Sequence, residues 1–173
     1  MKFMMKLSLA VVALFAATAV GNAQPKFGYV NSQEIIFSMP DIADVQAGLE
    51  ALQKELEEQL EFIQVEYNNC LADYQKNGAN YSDAVRQSKE QQLMSLQQRY
   101  EELGKAGSQD MQNKQNQLMQ PVIEKARLAI EKAASEGGYT AIFDMAAGSL
   151  IYYDKEQMTD ISPIVKKELG IVE

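Results

Sequence analysis

The 173-residue sequence has no histidine, no tryptophan and one cysteine. Without histidine, the commonest general base and metal ligand is missing. The lone Cys70 excludes an intrachain disulfide. As a nucleophile it would lack an imidazole partner, and its helical register puts it on an apolar stripe. It reads as a small packing residue; an interchain bridge or a reactive thiol are the alternatives. Phosphate-binding glycine loops, a dinucleotide fingerprint and a calcium loop are all missing. Carboxylates are plentiful, as in Glu55, Glu57, Glu58, Glu61, Glu101 and Glu102. Paired acids need an enclosing pocket to cleave glycosides, and on a long helix they read as a solvated face. No enzyme, cofactor or metal site is expected. Positive charge is also short: 16 basic residues face 24 acidic ones, a net −8. An acidic chain repels phosphate, which argues against nucleic acid or anionic lipid as the main partner.

Long apolar runs are missing as well, except at the start. Lys2 and Lys6 precede the run Leu7 to Val20, and Gly21-Asn22-Ala23 offers small residues for cleavage. This pattern predicts a signal peptide over residues 1–23, with a retained membrane anchor as the alternative. No cysteine stands at the cleavage site for lipidation. Cleavage after Ala23 leaves 14 basic against 24 acidic residues, a net −10. No later stretch is apolar enough to span a bilayer, so the mature chain is expected to be soluble and outside the cytoplasm.

What remains is mostly helical pattern. Phe27, Tyr29 and Val30 suit a strand. Asn31 and Ser32 can cap a short helix over Gln33 to Phe37. From Asp41 to Lys76, the residues Val45, Leu49, Leu52, Leu56, Leu60, Ile63, Tyr67, Cys70 and Tyr74 step by three and four. That is one face of a helix roughly 50 Å long. The two consecutive steps of four from Leu52 to Leu60 form a stutter, so strong supercoiling is not demanded. Asn77-Gly78 stops this helix, and Asn80 or Ser82 restarts the next. Periodicity returns at Tyr81, Val85, Leu93, Leu96, Tyr100 and Leu103. It thins over Gly104 to Gln117 and recovers at Leu118, Val122, Ala126, Ala129 and Ala133. Pro121 is expected to kink the return helix, and Gly137-Gly138 to end it.

Two helices joined by a short tip predict an antiparallel hairpin that returns the chain near Phe37. The segment GGYTAIFDMAAGSLIYYD then reads as two strands and a turn. "YTAIF" and "SLIYY" would join "KFGYV" in a three-stranded sheet. Thr159 to Gly170 reads as a terminal helix, capped by Asp160 or Ser162, with Ile164, Val165 and Leu169 facing the sheet. The predicted class is mainly α with a small antiparallel β-sheet. An arm over residues 41–136 projects from a body made of 24–40 and 137–173. Tyr29, Phe143, Leu150, Tyr152 and Tyr153 exceed what one such sheet can hide, which predicts a homo-oligomer. On the arm, Phe62, Tyr67, Tyr74, Tyr81, Met94, Tyr100, Met111 and Met119 have two readings. They pack the two helices together, or they present an adaptable apolar surface to unfolded chains.

These features resemble the Skp/OmpH-like periplasmic chaperones over nearly all of the mature chain. The carriers are "FGYVNSQEIIFSMP", "QPVIEKARLAIEKAASEGGYTAIFD" and "SLIYYDKEQMTDISPIVKKELG". The resemblance implies a jellyfish-like homotrimer whose three arms enclose a cavity. It implies ATP-independent holding of unfolded outer-membrane β-barrel proteins in the periplasm. Trimer contacts would involve Phe27, Tyr29, Val30, Ile142, Phe143, Leu150 and Tyr152, and clients would touch the arm residues above. The best-known members are strongly basic with cationic arm tips that attract lipopolysaccharide. Here only Lys76, Arg86 and Lys89 stand near the tip, so a lipopolysaccharide site is not carried over. The competing reading is a structural coiled-coil envelope scaffold or adaptor. Such a protein would tend to keep unbroken heptads, which Gly104 to Gln117 interrupt.

Overall fold

A computed structural model describes residues 25–171 apart from Ser149; the predicted signal peptide lies outside the described residues. The element order is β1 (Phe27–Val30), α1 (Ser32–Ser38), α2 (Asp41–Asn77), α3 (Asp83–Glu136), β2 (Ala141–Asp144), β3 (Met158–Asp160) and α4 (Ser162–Glu168). The fold is mainly helical with one small three-stranded sheet.

Two helix starts carry a side-chain cap from the preceding residue. The Asn31 side chain accepts from the Glu34 N–H at 3.2 Å and starts α1. Ser82 Oγ accepts from the Val85 N–H at 3.4 Å and starts α3. A short 3-10 turn, Gly78–Asn80, joins the arms. Helix α3 runs unbroken through Pro121. It stops at Gly137-Gly138 for two steric reasons. Gly138 takes φ +65°, which favours glycine, and a Cβ on Gly137 would lie 2.5 Å from the Tyr139 ring.

The sheet corrects the sequence reading: it is parallel, in the order β2-β1-β3. The cause is helix length. Helix α2 has 37 residues and α3 has 54, and the surplus extends α3 by about 25 Å. The return helix therefore overshoots Phe37 and delivers the chain to the start of β1. There Lys26 Nζ donates to the Gly137 carbonyl at 2.9 Å and the Thr140 N–H donates to the Lys26 carbonyl at 2.7 Å. Strand β2 then runs alongside β1 from the same end, pairing Phe27 with Ala141 and Val30 with Asp144.

A second correction concerns "SLIYY". Strand β3 is Met158–Asp160, parallel to β1, and Leu150 and Tyr152 lie in the connection before it. That connection spans residues 145–157. A tight turn can only make antiparallel neighbours; a parallel partner needs a crossover about this long.

The core lies where α3 crosses α1, α4 and the sheet. Val30, Ile35, Met39, Val45, Ile161 and Val165 pack against the α3 stripe Val122, Ala126, Ala129 and Ala133. Alanine on this stripe lets three elements approach one helix. In α4, Val165 is buried and Leu169 packs on the core, but Ile164 faces outward, contrary to expectation. Its start is held by Asp160, whose Oδ1 accepts from the Ser162 N–H at 2.8 Å.

One carboxylate joins three elements. Asp144, at the end of β2, accepts from the Ser32 N–H (3.1 Å), the Ser32 hydroxyl (2.5 Å) and the Ala146 N–H (3.0 Å). Partial burial pushes its pKa up, but the Ser32 and Ala146 hydrogen bonds outweigh this and hold it below the usual carboxylate value. Asp144→Ala should lower unfolding stability by about 1–2 kcal/mol, allowing for solvent screening, as read from urea titrations. A depressed pKa stabilises fully above the unfolded value of about 3.9 and is lost as pH falls through the folded value. The deficit of the variant should therefore shrink as pH drops below about 4.

Candidate functional site

The arm is held tightly at both ends and loosely between them. Near the tip, Ile63, Cys70 and Leu96 are buried in the seam, with Tyr67, Leu93 and Leu103 packed on them. Near the body, Val45 and Val122 join the main core. Between these clusters Gly107 is the one buried residue of either helix. A Cβ on Gly107 would lie 3.1 Å from both methyls of Leu56, so the glycine makes room for the opposing leucine.

The tip is a polar clasp. Lys89 Nζ lies 2.7 Å from the Asp73 carboxylate, and Asn77 Nδ2 donates to the same group at 2.8 Å. The Lys89 ammonium and the Asn77 amide lower the Asp73 pKa to about 2. Tyr74 OH donates to Glu90 at 2.6 Å.

This geometry sorts the eight arm candidates into different environments. Tyr74 and Tyr81 belong to the tip clasp, with Tyr81 OH 3.5 Å from the Asp73 carbonyl oxygen. Met119 packs against the main core at the base. Phe62 and Met94 point outward, 62% and 71% exposed. Tyr67, Tyr100 and Met111 line grooves beside the seam. Sequence reading placed Leu60 and Val85 on the packing stripes and passed over Val65; Leu60 lines a groove and both valines are exposed. The signal for Val65 was present, since it is an apolar residue off the main stripe.

The grooves lie on opposite flanks of the buried Ile63. One, of about 600 Å³, is lined by Glu55, Glu58, Phe62, Arg99, Glu102 and their neighbours. The other flank has two smaller hollows, of about 250 and 190 Å³. Tyr67 and Tyr100 line the first of these, and Leu56, Leu60, Gly104, Gly107 and Met111 line the second.

The body candidates also divide. Val30 is buried and Ile142 half-buried within the chain's own core. Phe27, Tyr29 and Phe143 lie on the other face of the sheet, where Phe27 and Phe143 have ring centroids 6.2 Å apart and Tyr29 meets Tyr153 in a tilted pair at 5.2 Å. Leu150 is half-buried in the connection, beside Ile151 and Tyr152, which are 100% and 82% exposed. One face of the small sheet is therefore aromatic and partly exposed, with Phe27 and Tyr29 half-buried and Phe143 37% exposed. Among the described residues no group of three or more acidic or cysteine side chains is placed to hold a metal ion. No helix among them is long and apolar enough to cross a membrane.

A long helical hairpin on a three-stranded parallel sheet, with apolar surface on arm and body, defines an arm-and-body protein. Residues 26–169 match the family described as outer membrane protein (OmpH-like), and the chain belongs to that family. The fold is similar to the crystal structure of an OmpH-like protein from Caulobacter crescentus CB15, a candidate outer membrane chaperone. The TM-score is 0.72 at 13% identity, covering 86% of each chain. A comparison with curated proteins finds no match.

Looseness in the middle of the arm has a measurable consequence. In native-state hydrogen exchange, amides over Gly104 to Gln117 should exchange at least about tenfold faster than those over Val122 to Ala133. Equal protection along α3 would show that the arm is one rigid unit.

Proposed function

We propose that this protein is an ATP-independent periplasmic holdase that keeps unfolded outer-membrane β-barrel proteins from aggregating. The carrying observation is the set of exposed apolar side chains along the arm, among them Phe62, Val65, Val85, Met94 and Tyr100, on a hairpin that is only loosely closed in its middle. Contiguous exposed apolar surface generally marks binding. A loosely packed hairpin can adjust to chains of varied sequence. Family membership supports the chaperone role and the periplasm, and the signal-like N-terminus agrees with export.

In this reading residues 24–40 and 137–173 form the oligomerisation body and 41–136 the arm. Copies associate as a homotrimer through the aromatic sheet face of Phe27, Tyr29 and Phe143, with Tyr152 and Leu150 at its margin. Val30 and Ile142 support that sheet from within. Clients are held between the arms by many weak contacts. With a charge near −10, the surface does not favour lipopolysaccharide.

The test is native mass spectrometry of the chain from Gln24, alone and mixed with a urea-unfolded outer-membrane barrel diluted into buffer. A trimer that captures one unfolded barrel chain, and ignores the same barrel once folded, is the expected result. A trimer that captures nothing at any salt would favour an envelope scaffold.

A further inference from the structure

We infer that client segments bind one flank of the arm, the flank of Tyr67 and Tyr100, as extended strands that place every fourth residue into successive hollows. This rests on the holdase reading above and adds to it a face, a conformation and a spacing.

The two flanks differ in charge. On the Phe62 flank the groove is rimmed by Glu55, Glu58 and Glu102, with Arg99 among them and paired to Glu66 at 3.8 Å. An apolar segment laid there would strip water from ionised groups without replacing it, which is costly. The hollows of the opposite flank are lined by apolar side chains such as Tyr67, Tyr100, Leu60 and Met111 together with the neutral groups Gln53, Gln64, Gln97 and Ser108, and Glu57 is the one charged residue among their lining. Amides and hydroxyls can donate to and accept from a peptide backbone, which is itself neutral. That flank thus complements an unfolded segment of low charge.

The same flank has a notch. A Cβ built on Gly104 meets nothing within 4 Å, so the missing side chain leaves open space on the helix surface. Gly104 and Met111 belong to the lower hollow, Gln97 and Tyr100 to the upper one. Their centres are about nine residues apart on α3, roughly 13 Å at the helical rise. An extended strand puts residues i and i+4 about 13 Å apart on the same face. A segment alternating apolar and polar residues can therefore fill both hollows at once. Transmembrane barrel strands carry that alternation. A helical segment would place residues i and i+4 only about 6 Å apart along its axis, well short of this spacing.

The test uses the chain from Gln24 with benzoylphenylalanine at exposed positions: Gln64 or Gln97 on one flank, Gln59 or Glu102 on the other. Each variant is irradiated with an unfolded barrel. Cross-links should come predominantly from Gln64 and Gln97. Peptides of one composition are then compared. Those with apolar residues at i and i+4 should bind about tenfold tighter than isomers with them at i and i+3, the loss of one seated side chain. Cross-links shared equally, or favouring Gln59 and Glu102, would overturn the flank while leaving the holdase standing. Equal affinity of the two peptides would overturn the spacing. Failure of the unsubstituted chain to capture any client would overturn both readings.

Discussion

The packing of α3 is the constraint on which the rest of this structure depends. It touches the other arm helix α2, the short helix α1, the terminal helix α4 and the entry to the sheet. Its alanine stripe makes that possible. Ala126, Ala129 and Ala133 present almost no side chain, so Ile35, Ile161 and Val165 can pack down on the helix backbone and are fully buried. A leucine at any of these positions would overfill the site. The length of α3 does the rest, because it carries the chain past the base of α2 to Lys26 and lays β2 parallel to β1. Fold direction, core and arm are one consequence of a single long helix.

The ion pairs around this helix are secondary. Lys125 to Asp41 and Lys132 to Glu168 tie α3 to α2 and α4, but both are solvent-exposed. Pairs of that kind contribute from nothing to about 1 kcal/mol each. The buried junctions have no unsatisfied side-chain polar atoms among the described residues. Asp144 is different because its partners come from α1 and the turn after β2, so it fixes where the sheet ends relative to the first helix.

The helices were readable in the sequence because their signals are local. Periodicity, the Ser82 cap and the Gly137-Gly138 stop all act within a few residues. The sheet was not, because strand direction depends on a difference in length between two helices. Treating them as equal sends the return helix to Phe37 and makes the sheet antiparallel. The third strand was misplaced for another reason. "SLIYY" has far higher β propensity than "MTD", but the crossover geometry needs those residues as connection. The arm candidates were recognised as apolar residues on the right helices. Their division into clasp, base and groove follows from antiparallel register, which a single helix pattern does not contain. Gly107 opposite Leu56 is the clearest case, since a glycine within a thinning pattern reads as weakness until its partner is known.

That weakness has a use once the whole arm is considered. Closing the seam from Leu49 to Leu60 with large side chains would stabilise the hairpin by burying more apolar area, about 25 cal/mol per Å². It would also remove the hollows that Gly104 and Gly107 leave beside Leu56, Leu60 and Met111. The arm instead concentrates its packing at Ile63, Cys70 and Leu96 near the tip and at Val45 and Val122 near the base. Two fixed ends keep the helices aligned, so the middle can remain open without the hairpin separating. A surface that must accept many sequences gains more from such adaptable, half-filled hollows than from a seam packed to the density of a core.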